Sequence, residues 1–245
     1  DIDDDPIVLS AGMVFNYLGT SSVEYNWIMN SGNYEDQQTV AEYLINNEHS
    51  EDAKLFAKEA IRALIAGGDV DFIDPLETYN FQSETTETLL FEQDYKNRMT
   101  NAEKLIFNNL TRFQQLDYLH SAYLAQEYAL VYFGDSIHVQ YNGKGDAYRH
   151  ALWNAIGAAK LGTNLMKQLS DAHEVPNEGQ TNNPLEEEMD LYNNNVGRNI
   201  GSHSSIMLMM KVKFAVDKGD TKYISPTYGN GNIIPGFSQI IPTNQ

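Results

Sequence analysis

The sequence has 245 residues, of which 42% are hydrophobic, enough to bury a core in one large domain or two small ones. Its formal net charge of −18 argues against nonspecific nucleic-acid binding, because Lys and Arg hold phosphate backbones. No apolar run reaches the length of about 18 residues that a membrane-spanning helix needs. Cysteine is absent, so the candidate metal ligands are His, Asp, Glu and Asn.

Acidic residues are concentrated in the first part of the chain. Residues 1–137 hold 24 acidic and 7 basic side chains, whereas residues 138–245 hold 10 and 9. The acidic run at the start predicts a disordered or extended segment over residues 1–20. Residues 21–97 are predicted to form an acidic helical region, with helices near 22–29, near 35–46 and between 50 and 67. The polar stretch 80–99 is ambiguous.

Residues 98–245 are predicted to form a second helical domain. Thr100-Asn-Ala-Glu103 is a capping box that predicts a helix through Leu110, and residues 111–133 carry apolar positions at helical spacing. His120 in that stretch is interpreted as a packing histidine. Residues 202–216 predict a helix that stops at Gly219, followed by a wrapped tail or one short hairpin. The predicted fold class is therefore all-α, a mostly helical bundle with an extended or short-β C-terminal tail.

A helix predicted over about 146–169 has an unusual polar face. Its apolar residues fall on one broad side, whereas Asp146, His150, Trp153 and Asn154 fall opposite. A surface helix usually shows Lys, Glu and Gln there, so this face is expected to be covered by another element or a ligand. The spacing of Asp146 and His150 also lets the carboxylate orient the imidazole ring.

Two further polar signatures follow, Asp171-Ala-His173-Glu174 and the stretch from Met189 to Arg198. On a helix from about 185 to 200, the second places Asp190, Asn193, Asn194 and two glycines on the face opposite its apolar stripe. Each glycine would weaken an exposed helix by roughly 1 kcal/mol, so Gly197 and Gly201 indicate either close approach of a partner element or a broken helix.

The three signatures carry a family resemblance. They resemble the RHAxW, AHE and MDLxNN blocks of an uncharacterised bacterial domain family, over about residues 98–215. That family occurs in secreted proteins and lipoproteins and at the C-termini of toxin-like arrays. The resemblance implies a mostly helical fold and an extracytoplasmic bacterial protein, secreted or at the cell surface. It implies no established reaction, so the chemistry must come from the residues.

The first hypothesis is a metal-dependent hydrolase. His150, His173 and Asp190 would be the ligands of a divalent metal such as zinc, with one coordination position left for water. Glu174 would be the general base, and Asp146 would orient His150. No HExxH motif supports this hypothesis. A polar or anionic substrate is expected to contact a set of six residues: Arg149, Arg198, Trp153, Asn154, Asn193 and Asn194.

Two alternatives stay open on the residues alone. The first is metal-free acid–base catalysis by His150 with Asp146, assisted by His173 or Glu174, with the serines at 202, 204 and 205 beside His203 as candidate nucleophiles. The second is a structural or binding domain in which the same side chains form a buried hydrogen-bond network. The sequence leaves the substrate, the metal and the oligomeric state undetermined.

Overall fold

The computed structural model describes residues 86–203 and 208–245, with isolated helical positions at 23, 24, 58 and 61. Apart from those positions, the predictions made for residues 1–67 lie outside the described residues. The chain divides into two compact units, one formed by residues 1–77 and 206–214 and the other by residues 78–205 and 215–245. The polar signatures all belong to the second unit.

Eight helices and one two-stranded sheet form the described part of the chain. In chain order they are α1 (Thr86–Arg98), α2 (Asn101–Phe107), α3 (Arg112–Phe133), α4 (Ile137–Gln140), α5 (Lys144–Leu161), α6 (Thr163–His173), α7 (Pro184–His203), α8 (Leu208–Lys218), β1 (Lys222–Ser225) and β2 (Gln239–Pro242). The predicted all-α class with a short-β C-terminal segment is confirmed. None of the described helices combines the length and apolar character needed to cross a membrane.

Helix α1 lies in the stretch that the sequence left ambiguous. Its polar residues form ion pairs one turn apart, between Lys96 and Glu92 at 2.6 Å and between Arg98 and Asp94 at 2.9 Å. Glu92 also accepts two hydrogen bonds, at 2.9 and 2.8 Å, from the guanidinium of Arg112 at the start of α3. The helix is therefore stabilised by charge pairing that an apolar-periodicity argument does not detect.

Two threonines begin helices as the sequence predicts. Thr111 caps α3 in a reciprocal capping box with Gln114. Thr100 caps α2 by accepting a hydrogen bond from the Glu103 backbone N–H at 3.1 Å. The capping box predicted at Thr100 is wrong in its second hydrogen bond, from the Thr100 backbone N–H to the Glu103 side chain. The Glu103 carboxylate instead points into the protein interior. Helix α2 also ends at Phe107 rather than at Leu110.

The single helix predicted over 146–169 is wrong. Helix α5 ends at Leu161, and Gly162, with φ of +84°, separates it from α6. Glycine adopts this backbone conformation without the steric cost that a side chain would add. The break lets α6 pack against α5, so that the ring of His173 lies 5.1 Å from the ring of Trp153. The second signature thereby meets the first.

Helix α5 packs against both α3 and α7, and glycines set the distance to α7. A β-carbon on Gly197 would collide with the backbone carbonyl of Ala151, and one on Gly201 would collide with that of Ala155. Of the two alternatives that these glycines indicated, close approach of a partner element is the one observed, and the helix is not broken, because α7 continues through both. Close packing places the polar faces of α5 and α7 against each other.

The C-terminal segment forms a short antiparallel hairpin in which Lys222 pairs with Pro242 and Ser225 with Gln239. Its first strand is attached to α7, because the side-chain amide of Asn193 donates to the Lys222 carbonyl at 2.8 Å and accepts from the Lys222 N–H at 2.9 Å. The helix predicted over 202–216 corresponds to the end of α7 and most of α8, whereas residues 204–207 lie outside the described part.

Candidate functional site

A cluster of two carboxylates and one imidazole lies between α5 and α7. Asp146 and His150 stand one turn apart on α5, and Asp190 faces them from α7. The Nε2 atom of His150 lies 3.5 Å from Asp146 Oδ1 and also 3.5 Å from Asp190 Oδ1. One ligand atom of each residue lies within 4.8 Å of the other two. We refer to these three residues as the Asp–His–Asp cluster.

Asp146 is held from two directions. The backbone N–H of Asn142, in the loop before α5, donates to Oδ2 at 2.7 Å. The guanidinium of Arg149, one turn further along α5, donates to Oδ1. Burial acts to lower the pKa of Arg149, but the charges of Asp146 and Asp190 outweigh it, and the pKa is raised. Arg149 therefore stays charged beside the cluster.

Asp190 is the member of the cluster whose negative charge is least compensated by neighbouring donors or cations. Its side chain is 16% exposed, and its buried Oδ1 atom accepts no hydrogen bond from the described residues. Burial raises its pKa well above the ordinary value, and the charges of Asp146 and Glu174 raise it further. A carboxylate in this position is stabilised by a proton or by a cation.

The other ring nitrogen of His150 faces an amide and a third carboxylate. Nδ1 lies 3.2 Å from Asn194 Oδ1 and 3.7 Å from Glu174 Oε1. Burial first, and then the charge of Arg149, lower the pKa of His150 to about 3, so the ring is neutral at ordinary pH. A neutral ring whose Nδ1–H is donated to Asn194 presents the lone pair of Nε2 toward the two aspartates.

Amide and guanidinium groups connect this site to α6 and α7. Asn194 donates to Glu174 Oε1 at 3.0 Å and accepts from Asn154 at 2.6 Å. Asn154 accepts in turn from Arg198 Nη1 at 3.1 Å, and the same nitrogen donates to Ser170 Oγ at 2.8 Å. All five side chains are buried. The network fixes how α5, α6 and α7 pack.

His173 belongs to a neighbouring arrangement. Its Nδ1 lies 2.7 Å from Glu103 Oε2, and the hydroxyl of Tyr118 donates to the other oxygen of Glu103 at 2.8 Å. Burial lowers the pKa of His173, but the hydrogen bond and charge of Glu103 more than offset this effect, and the pKa is raised. His173 and its carboxylate partner therefore form an ion pair once the ring is protonated.

The structure brings most of the predicted site residues together, but not in the predicted ligand set. Asp146 occupies the place beside His150 and Asp190 that the sequence argument gave to His173. Glu174 lies on the Nδ1 side of His150, whereas the two aspartates lie on its Nε2 side. Asn193 binds the backbone of β1, and His203 is exposed next to Ser202. The serines at 204 and 205 lie outside the described residues.

Sequence reasoning missed Glu103 as a site residue. The capping-box pattern accounted for this glutamate locally, and its partner His173 is 70 positions away. Its exposed fraction is 0%, which nothing in the local pattern indicates.

Fold and site together define an all-α domain with a buried carboxylate–histidine cluster between two closely packed helices. Residues 105–218 match the family model described as Domain of unknown function (DUF6973). The matched segment contains the whole Asp–His–Asp cluster and is consistent with the uncharacterised domain family that the signatures resemble. No curated protein and no solved structure matches the chain.

Proposed function

We propose that this protein is a metal-dependent hydrolase in which Asp146, His150 and Asp190 hold a divalent transition metal such as zinc. The observation that carries the proposal is the pair of equal 3.5 Å separations between His150 Nε2 and the two aspartate oxygens. Hydrogen-bonded atoms lie closer together, at about 2.7–3.2 Å. Two ligands of a tetrahedral zinc site, each about 2.0–2.1 Å from the metal, are roughly 3.4 Å apart.

The charge of the site also supports a bound cation. Three carboxylates, those of Asp146, Glu174 and Asp190, surround one neutral imidazole, and Arg149 supplies one positive charge. Like charges so close in a buried site repel one another unless a proton or a metal compensates them. One nitrogen and two oxygen ligands suit zinc or manganese, and three protein ligands leave a coordination position for water.

The proposed reaction is hydrolysis of a polar or anionic substrate, in which water attacks the substrate, the scissile bond breaks and the leaving group takes up a proton. A metal held by the Asp–His–Asp cluster would lower the pKa of its water to about 7 and so would supply hydroxide as the nucleophile. Arg149 bonds Asp146 through one nitrogen, and its remaining N–H groups suit an anionic substrate group. The sequence predicted that Glu174 is the general base, but its position favours a role in orienting His150. Glu174 lies on the Nδ1 side of the imidazole and accepts a hydrogen bond from Asn194.

Metal analysis tests the proposal directly. Protein purified without metal-affinity steps is expected to contain about one equivalent of metal and to lose thermal stability when a chelator is added, since a metal bound only by the native state raises its stability. Asp190→Asn should abolish both effects. Asp94→Asn, which changes an exposed carboxylate in α1, is the matched control and should change neither. A metal-free wild type that gains no stability from added zinc or manganese would contradict the proposal.

A second candidate is a non-enzymatic structural or binding domain. It is favoured by the mutual hydrogen bonding of Asn154, Asn194 and Arg198, which satisfies buried polar groups without any ligand. Under this alternative, Asp190→Asn should stabilise the protein, because it removes a buried carboxylate that accepts no hydrogen bond at Oδ1 from the described residues. The sign of the stability change in zinc-containing buffer therefore separates the two candidates, because only a metal-dependent hydrolase should lose stability on this change when metal is supplied.

We also propose an extracytoplasmic location in a bacterium, as the resemblance implies. The absence of cysteine is compatible with this location, since a thiol-free chain tolerates an oxidising environment. Fractionation of cells that express the full gene, with an antibody against this chain, tests the location. Recovery only in the cytosolic fraction would contradict it.

A further inference from the structure

A cavity of about 230 Å³ lies beside the Asp–His–Asp cluster, wholly within the second compact unit. Four of its lining residues, Phe91, Tyr95, Arg98 and Met99, come from α1 and the turn after it. Arg149 and Trp153 line it from α5, and His173 lines it from the end of α6. We call it the aromatic cavity. Besides apolar rings, the lining contains nitrogen-bearing side chains, and the three that carry the argument are Arg149, Trp153 and His173.

Arg149 and Trp153 can donate hydrogen bonds, and His173 can also donate from Nε2 when its ring carries both protons. Trp153 is 4% exposed, and its buried Nε1–H has no acceptor among the described residues. An indole N–H and a guanidinium can only donate. Among the described residues Arg149 bonds Asp146, which uses part of its five N–H groups. Glu103 takes the Nδ1 proton of His173 and leaves Nε2 for another partner. The ligand that satisfies this lining is therefore an acceptor, and Arg149 favours an anion.

The apolar part of the lining indicates which kind of molecule bears the anionic group. Met99 is 1% exposed, and the rings of Phe91 and Tyr95 lie 6.0 Å apart at an angle of 31°. A dry protein cavity of about 150 Å³ holds one benzene molecule. The aromatic cavity is larger, so it has room for one ring with a small charged group attached.

We propose that the aromatic cavity binds a small molecule with a planar apolar body that carries one carboxylate or phosphate group. This inference goes beyond the metal site, because every residue that it uses lies outside the Asp–His–Asp cluster. If the chain is a hydrolase, the cavity would hold the anionic part of its substrate next to the nucleophile. Binding itself requires no metal.

Fluorescence of Trp153 provides the test. The chain has two tryptophans, so Trp27→Phe leaves Trp153 as the only indole reporter. Chelator-treated protein is titrated with phenylphosphonate, with benzoate and with neutral benzamide. We expect a saturable change with at least one of the two anions and at least tenfold weaker binding of benzamide. The tighter anion identifies the charged group. The inference is overturned if all three compounds bind with equal affinity. It is also overturned if none of them binds at concentrations up to about 10 mM, roughly the weakest affinity that such a titration resolves.

Inorganic phosphate tests the apolar part of the proposal. If the rings of α1 contribute to binding, phosphate alone should bind at least tenfold more weakly than phenylphosphonate, because it buries no apolar surface. Equal affinity for the two compounds would overturn the assignment of an apolar body. Buffers without phosphate are needed throughout.

Variants locate the binding and keep the test independent of the metal. His173→Gln and Arg149→Gln should each weaken anion binding at least tenfold, whereas Lys144→Gln, at the start of the same helix α5, should leave it unchanged. Ala122→Leu should block binding by filling the cavity without removing a hydrogen bond, so it remains informative if Arg149→Gln fails to fold. Normal binding by both Ala122→Leu and His173→Gln would overturn the inference.

The metal proposal and the cavity proposal can fail separately. Asp190→Asn should lose the metal but keep anion binding, and Ala122→Leu should lose anion binding but keep the metal. A wild-type protein without metal that still binds phenylphosphonate contradicts only the proposed function. A wild-type protein with metal that binds no aromatic anion contradicts only the cavity inference.

Discussion

His173 donates its Nδ1 proton to Glu103 across 2.7 Å, and the carboxylate that receives it is fully buried. Tyr118 donates to the second carboxylate oxygen, so the anion has partners on both sides. The pair joins the end of α6 to α2, and Thr100 ties the same two helices by donating to the Ala172 carbonyl at 2.6 Å. Glu103 therefore acts as the anchor that orients His173 toward the aromatic cavity.

Replacing Glu103 by Gln should lower the pKa of His173. Burial alone lowers this pKa, and the hydrogen bond and charge of Glu103 raise it above the ordinary value of about 6.5. For a group whose folded-state pKa is raised, the stabilisation is complete below the unfolded value and is lost as the pH rises through the folded value. The variant should therefore lose more stability at pH 5.5 than at pH 8.5. These two pH values lie about a unit or more below and above the ordinary histidine pKa.

The measurement is an NMR titration of the histidine rings together with urea unfolding at the two pH values. Glu187→Gln changes an exposed carboxylate in α7 and is the control, which should leave the pKa of His173 where it is. If His173 titrates at the same pH in the Glu103 variant and in the wild type, the pair does not control its protonation.

Local patterns in the sequence predicted much of the fold. The helix after Thr100 follows from its cap, and the helices around Thr111, Asp146 and Asp190 follow from apolar periodicity, because these signals lie within one or two turns. The unassigned α1 and the break at Gly162 did not follow. Helix α1 depends on ion pairs and on Arg112, and the apolar stripe continues past Gly162 although the chain bends there.

The candidate site was harder to predict, because its roles depend on tertiary distances. The sequence identified His150 and Asp190, but it assigned the third ligand position to His173 and an orienting role to Asp146. Only the packing of α5 on α7 shows that Asp146 and Asp190 are equally far from Nε2 of His150. Sequence spacing relates residues on one helix but gives no distance between residues on two helices.

The close packing of α5 on α7 predicts a large effect of one added methyl group. Gly197→Ala places a β-carbon against the Ala151 carbonyl, a backbone atom that cannot move without shifting α5. Overpacking of this kind typically costs about 1–3 kcal/mol, which should exceed the gain in helix propensity of about 1 kcal/mol. Gly229→Ala is the control, since nothing lies within 4 Å of the position of its added β-carbon. Urea unfolding of both variants measures the difference in stability. If the two variants are equally stable, α5 and α7 can move apart to accommodate the methyl group at no cost in free energy.

Arg198 is predicted to stabilise the fold rather than to contact substrate. It is 4% exposed, and its Nη1 donates to Asn154 and Ser170. Arg198→Met keeps much of the apolar volume but leaves these buried acceptors without a donor, which should reduce the free energy of unfolding by about 1–3 kcal/mol. Arg98→Met, on an exposed side chain, should cost far less. An Arg198 variant of unchanged stability that loses binding of an anionic ligand would instead support substrate contact.

Glu174→Gln distinguishes positioning of His150 from general-base catalysis. Glu174 Oε1 accepts from Asn194 at 3.0 Å and lies 3.7 Å from His150 Nδ1. Gln retains an oxygen acceptor but removes the negative charge behind the imidazole. Loss of such an outer partner typically weakens metal binding by about 10- to 100-fold, whereas loss of a general base lowers kcat by about 10²-fold or more and leaves metal affinity unchanged.

We therefore expect a weaker zinc affinity in Glu174→Gln, measured by competition with a chromophoric chelator, with little change in the melting temperature of the metal-free protein. Glu178→Gln, an exposed carboxylate in the loop after α6, is the control and should bind zinc as the wild type does. Unchanged zinc affinity in the Glu174 variant would contradict the positioning role. Strong destabilisation of the metal-free variant would instead show that the carboxylate serves the packing network, because Asn194 then depends on its charge to hold α6 against α7.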